Sequence, residues 1–176
     1  MADRLTHPRI TKKKMFSLAG EVVGEEALGI IDYLWKKADI SEFQIAKDLK
    51  MEVNMVRSIL YKLNNHNLVT YIRRKDKEKG WYISYWTLFP KGFHELEFRL
   101  KRNRLGKLKE RLKKEESNVN AFFMCKNACI RLDFDQGMDF NFRCPECGEL
   151  LGQQDNTKTI GNLKVKISEL ETELTV

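Results

Sequence analysis

The four cysteines of this chain fall within 23 residues and form two close pairs, Cys125-Lys-Asn-Ala-Cys129 and Cys144-Pro-Glu-Cys147, with Gly148 directly after the second. Four thiolates in two spaced pairs match a tetrahedral site, in which each pair bends the backbone tightly enough to aim two sulfurs at one ion about 2.3 Å away. Pro145 and Gly148 suit such a bend. The 14-residue spacer carries Leu132, Phe134, Phe140 and Phe142 around Asp135-Gln136-Gly137. That pattern predicts a β-hairpin closing the loop, and so a zinc ribbon holding one structural Zn2+ on Cys125, Cys129, Cys144 and Cys147. Tetrahedral sulfur also holds iron, so a rubredoxin-like electron carrier is a rival reading. With four thiolates no position is open, and the ion would shape the chain without catalysing anything. Residues 120–152 are too few for a sufficient core, so metal binding must supply most of the folding energy.

A second group of residues could bind rather than react. Arg73, Arg74, Lys75, Lys77 and Lys79 crowd beside Trp81, Tyr82, Tyr85 and Trp86. Cations interleaved with rings serve single-stranded nucleic acid, whose bases stack at roughly 1–3 kcal/mol each. The same mixture serves protein interfaces. Side chains alternate along a strand, so Trp81, Ile83 and Tyr85 face one way and Tyr82, Ser84 and Trp86 the other. One set must pack inward, leaving at most half of the rings free. Catalytic machinery is not indicated. His7, His66 and His94 stand apart from any cysteine, serine or carboxylate pair that could activate a nucleophile, and there is no Gly-rich phosphate loop.

The elements that would position these residues follow from periodicity. Phe16, Leu18, Ala19, Val22 and Val23 recur at helical spacing up to Gly24, and Leu28, Ile31, Leu34 and Trp35 resume it. Ser41 and Gln44 read as a capping box opening a short helix with Phe43, Ala46 and Leu49 inward. Asn54 reads as the cap of a further helix facing inward through Val56, Ile59, Leu60 and Leu63. Its outer face would hold Asn54, Arg57, Ser58, Tyr61 and Lys62, polar but sparsely basic for reading base edges. Residues 68–74 and 81–88 are rich in β-branched and aromatic side chains and predict a hairpin with a charged tip. Helices followed by a hairpin give the winged helix-turn-helix order.

Pro90 opens a long charged helix through Phe93, Leu96, Leu100, Leu105, Leu108 and Leu112, with Gly106 as a weak point. Ile160, Leu163, Ile167, Leu170 and Leu174 form a stripe too short to stand alone, which docks on a partner, docks on that charged helix, or frays. The expected fold class is therefore α+β. A mobile basic tail (1–14) precedes a winged helix (15–89), a helical charged linker (90–119), a zinc ribbon (120–152), and a polar tail with a short amphipathic helix (153–176).

The chain has 176 residues and a net charge of +7. The surplus is local: +3 in 1–24, +3 in 68–88 and +5 in 89–119, against −1 in 25–67. A localised basic footprint fits a polyanionic partner, although a charge run is often only a solvated face. No stretch approaches the roughly 18 apolar residues of a spanning helix, and the N-terminus lacks the apolar core of a secretory leader. A cytoplasmic location is the expectation, and there paired cysteines favour metal over disulfides.

The segments Gly24-Glu25-Glu26-Ala27-Leu28, Val56-Arg57-Ser58-Ile59-Leu60-Tyr61-Lys62-Leu63 and Gly80-Trp81-Tyr82-Ile83-Ser84-Tyr85-Trp86 resemble archaeal transcription factor E, the counterpart of the alpha subunit of eukaryotic general transcription factor IIE. Asp139-Phe140-Asn141-Phe142-Arg143-Cys144-Pro145-Glu146-Cys147-Gly148 is similar to that family's second domain. The three-residue gap between Cys125 and Cys129 departs from the commoner two-residue knuckle. The resemblance implies a non-enzymatic initiation factor, nucleoid-associated, acting as a monomer or with a beta-type subunit. It would join RNA polymerase, TATA-binding protein and transcription factor B at the promoter. Its winged helix would lie on the polymerase clamp and its ribbon toward the stalk, and it would favour melted DNA and touch the non-template single strand. Carried over, Arg73 to Trp86 would meet the clamp or the single strand, and the four cysteines would hold the zinc. A winged-helix regulator reading a specific duplex site is the competing reading; it predicts a preferred sequence, whereas the family predicts little affinity for free duplex.

Overall fold

A computed structural model describes residues 10–75 and 80–175. The chain divides into two compact units, Met1–Arg99 and Leu100–Val176.

In the first unit, Thr11 caps α1 (Lys12–Val22), and α2 spans Glu26–Leu34. A two-residue strand β1 (Ile40–Ser41) leads into α3 (Glu42–Leu49), whose first turn is capped by the Ser41 hydroxyl accepting from the Gln44 N–H. α4 covers Val53–Asn65. Glu52, rather than the expected Asn54, caps it. The chain is extended at Glu52, whose carboxylate accepts from the Met55 N–H at 3.0 Å, so the helix starts before Asn54. Asn54 instead lies in the first turn, its side-chain oxygen accepting from Arg57.

Strands β2 (Val69–Lys75) and β3 (Tyr82–Leu88) form the hairpin, and β1 adds to β3, giving the antiparallel order β1-β3-β2. Together with α2, α3 and α4 this is a winged helix-turn-helix, with α1 in front. Ile30, Ile31, Leu34, Ile45, Val56, Leu60, Leu63, Leu68 and Trp86 are buried at its centre. Ile45 takes the inward place on α3 that was expected of Phe43, which is exposed.

Helix α5 (Pro90–Ser117) is unbroken through Gly106, and the boundary between the units falls within it. Its first turns seal the first unit through the buried Phe93 and Leu96. Gly92 makes this possible: a Cβ there would lie 1.7 Å from the Asn67 carbonyl oxygen.

The second unit has a three-stranded antiparallel sheet, β5 (Arg131–Leu132), β4 (Phe122–Cys125) and β6 (Leu151–Gln154), in that order. The hairpin expected across the spacer is absent there. Asp133 and Gln136 form a capping box, and residues of the supposed turn lie inside a short helix, α6 (Phe134–Asp139). Gly137 is buried under Phe142, whose ring atoms would lie 2.8 Å from an added Cβ. Phe123, Phe134 and Phe142 pack as a ring cluster with centroids 4.6–6.2 Å apart.

The stripe near the end of the chain forms α7 (Thr157–Thr175), longer than the short helix expected. Lys101–Glu173, Lys109–Glu171 and Lys164–Glu116 ion pairs set it antiparallel to the second part of α5, and Leu163 and Ile167 are buried. Where α5 ends, Glu115 is buried and holds Arg131 with two bonds of 2.8 and 2.9 Å. Asn156 donates to the same carboxylate at 2.8 Å, and Arg131 also donates to Gln154. The guanidinium lies 3.7 Å above the Phe122 ring. This polar junction joins α5, the sheet and the start of α7.

Candidate metal centre and basic wing

Two tight turns bring the sulfurs together. Cys125 ends β4, and its carbonyl accepts from the Ala128 N–H while its own N–H donates to Ile130. Ala128 has φ +55°, the left-handed conformation such a knuckle needs. In the second turn the Cys144 N–H donates to Glu149 and its carbonyl accepts from Gly148, which has φ +75°. The four sulfurs lie within 4.8 Å of one another. Cys125 is 3.9 Å from Cys129 and 3.4 Å from Cys147, and Cys129 is 3.7 Å from Cys147. A regular tetrahedron of sulfurs around one ion at about 2.3 Å has edges of about 3.8 Å. The cysteines therefore fit a metal ion, three-residue knuckle included.

The thiols differ in acidity. The Glu149 backbone N–H, assisted by Cys125, lowers Cys147 to about 7. Cys129 is pushed up to about 12, chiefly by the hydrogen bond it shares with the Cys147 sulfur. Burial raises Cys144. A first proton thus leaves readily at Cys147, and a cation among the sulfurs is what makes the remaining thiolates tolerable. Cys125 and Cys144 are buried, whereas Cys129 and Cys147 are exposed.

The wing separates its rings. In the β2–β3 register Lys75 faces Tyr82, Arg74 faces Ile83 and Arg73 faces Ser84. Trp81 and Tyr82 are exposed, at 54% and 69% of their surface, and Arg73, Arg74 and Lys75 are exposed beside them. Tyr85 is half-buried, with the Arg74 guanidinium 5.2 Å from its ring centre. Arg74 also pairs with Asp39 at 2.8 Å. Lys77 and Lys79 lie outside the described residues.

Trp86, expected at the interface, is core. Its exposure is 0%, Tyr71 and Tyr61 pack on it at 4.8 and 5.6 Å, and its indole N–H donates to the Glu42 carboxylate. Neither face of that ring is open to stack a base. Tyr82 shares the strand face of Trp86 but sits at the opposite end of β3, where it is exposed.

Glu42 is a residue the sequence did not single out. It is buried, and it binds Arg57 through Nε and a terminal nitrogen at 3.2 and 2.8 Å. Lys62 pairs with Glu26 at 3.2 Å. The two cations of the outer α4 face are thus engaged with acids of the same unit. The only sequence cue to Glu42 was an acid in the first turn after the Ser41 cap, a common surface position.

A winged helix with an exposed aromatic and basic hairpin, followed by a four-cysteine cluster on a small sheet that could hold a metal ion, defines a class of binding protein. Residues 15–118 match the sequence model of the family described as TFIIE alpha subunit. Over 161 residues the chain is 39% identical to Transcription factor E of Sulfolobus acidocaldarius, covering 91% of this chain and 93% of that one. It is 39% identical to that of Thermococcus kodakarensis, over 92% of this chain and 87% of the relative, and 38% identical to that of Pyrococcus abyssi, over 92% and 85%. The chain belongs to the transcription factor E family, whose members are general transcription factors of the initiation machinery and not enzymes. Among the described residues no helix is long and apolar enough to cross a membrane.

Proposed function

We propose that the chain joins RNA polymerase at a promoter bound by TATA-binding protein and transcription factor B, and stabilises the melted state. The tip of the wing contacts the clamp or the non-template single strand. Cys125, Cys129, Cys144 and Cys147 hold one structural zinc ion, and the ribbon built on it turns toward the stalk. The observation that carries this reading is where the groups of the winged helix lie: Tyr82 and Trp81 are solvent-exposed beside the exposed Arg73 and Lys75, while Arg57 and Lys62 on α4 are paired with Glu42 and Glu26. Stacking on exposed rings favours unpaired bases over a closed duplex. A helix whose cations are already paired offers little to base edges in a major groove.

The test is single replacement of Trp81, Tyr82 and Tyr85 by Ala, with permanganate footprinting of the melted region in a reconstituted polymerase complex. At least one variant is expected to lower open-complex occupancy several-fold while its circular dichroism matches the parent. Melting at the parental level with every folded variant would refute the wing assignment.

A further inference from the structure

We infer that Arg104, Lys107, Arg111 and Lys114, a row along one flank of α5, form a second nucleic-acid site that grips the phosphate backbone of duplex DNA without reading sequence. The four follow one another at steps of 3, 4 and 3, which places them on one side of a helix over about 15 Å. All four are exposed. Leu105, Leu108, Leu112 and the buried Glu115 mark the inward side of this part of α5. The acids of α7 reach Lys101 and Lys109, which lie off the row. Among the described residues none of the four forms an ion pair; Arg111 contributes to lowering Glu115, but that carboxylate is bonded to Arg131.

The row is unusual for a merely solvated helix. Solvated faces mix signs, yet residues 100–114 hold eight cations and one acid, Glu110. Like charges three and four residues apart destabilise a helix, so Arg104–Lys107, Lys107–Arg111 and Arg111–Lys114 repel one another until a polyanion neutralises them. Duplex DNA is such a polyanion, with one phosphate on each strand for about every 3.4 Å of helix axis. Residues 100–117 contain no aromatic residue, so this stretch offers unpaired bases no ring to stack on. The wing and the row therefore differ in substrate: rings and cations suit single strands, cations alone suit the backbone of a duplex. Four contacts give weak, salt-sensitive binding that a larger assembly on the promoter would reinforce.

The test uses the full chain with a labelled 25-base-pair duplex of arbitrary sequence and a single strand of the same length, by fluorescence anisotropy from 20 to 200 mM salt. For four phosphate contacts, log affinity for the duplex should fall with log salt at a slope near −3.6, roughly a hundredfold between 50 and 200 mM. Replacing all four residues (Arg104→Gln, Lys107→Gln, Arg111→Gln, Lys114→Gln) should remove most of that slope and lower duplex affinity at least tenfold at 50 mM. Single-strand affinity should change by less than about twofold. Arg104→Gln with Arg111→Gln should remove about half the slope, so the test stands even where the fourfold variant folds poorly. A charge-matched control (Lys13→Gln, Lys47→Gln, Lys158→Gln, Lys166→Gln) should keep the slope. Parental duplex binding by the row variants, as expected if the row serves an acidic protein, would overturn the inference. Equal losses in the control, or on the single strand, would overturn it as well.

Discussion

At the residue scale the outcome turns on which face of one strand is covered. Trp86 is the largest fully buried side chain among the described residues, and its indole N–H rests on Glu42, which also holds Arg57. Glu42→Ala should cost about 1–3 kcal/mol, because Arg57 can turn to water but the indole N–H at the core is left without an acceptor. Chemical denaturation followed by tryptophan fluorescence would measure it. The double variant with Trp86→Phe should cost clearly less than the two single losses added together, since the two groups share one interaction. Additive losses would show that the buried bond contributes nothing. Alternation along 81–88 was legible from sequence and did place Tyr82 with Trp86. Which set faces inward was not, because it depends on α2 and α3 packing against β3 and on β1, two residues long and paired 46 and 44 positions further on (Ile40 with Trp86, Ser41 with Tyr85). So short a strand has no periodicity of its own.

At the scale of elements, the winged helix and the long α5 could be read from apolar spacing, since both repeat it over many residues. The region between the cysteine pairs could not. Asp133 and Gln136 spell a capping box, yet Asp135-Gln136-Gly137 spells a turn, and six residues of helix are too few for periodicity to decide between them. Four sulfurs converge regardless, because the knuckles are set by local bends at Ala128 and Gly148. With the ion proposed above held by these sulfurs, the second unit should depend on it. Chelation, or Cys129→Ser, should unfold β4 to β6 and leave the amide signals of α2 to β3 in place; winged-helix signals lost together with the ribbon would contradict this. Glu115 supplies a separate test. Its hydrogen bonds with Arg131, aided by Asn156, hold its carboxyl below the ordinary glutamate value of about 4.3. A carboxylate with a lowered folded pKa contributes stability that is fully present above its unfolded value and is lost as pH falls through the folded one. The melting temperature of the second unit should thus drop in the parent as pH is lowered from about 5 toward 3, and by less in Glu115→Gln. Measuring the difference between the two proteins removes the acid sensitivity that thiolate ligands share. Parallel pH curves would mean that the junction contributes no such linkage.

At the scale of the whole molecule, the proposed stabilisation of the melted promoter needs nothing beyond differential affinity. Whatever binds the melted complex more tightly than the closed one shifts the equilibrium between them by that ratio and by no more. Linkage makes the statement reciprocal: the gain in opening at saturating factor must equal the factor's preference for a pre-melted template over a closed one. The two surfaces proposed on this chain then have separable signatures. Duplex backbone is present in both states, so loss of the α5 row should weaken recruitment to closed and pre-melted complexes alike and leave their ratio unchanged. Unpaired bases exist in one state only, so loss of Trp81 or Tyr82 should compress the ratio and spare affinity for the closed complex. Binding of labelled factor to polymerase complexes on fully paired and mismatched-bubble promoters gives both affinities directly, and footprinting gives the opening equilibrium. Agreement within about twofold between the affinity ratio and the gain in opening is expected. Equal affinities alongside strong stimulation of opening would mean that the factor acts by a route other than preferential binding, for instance on a rate, and the equilibrium reading of this chain would have to be given up.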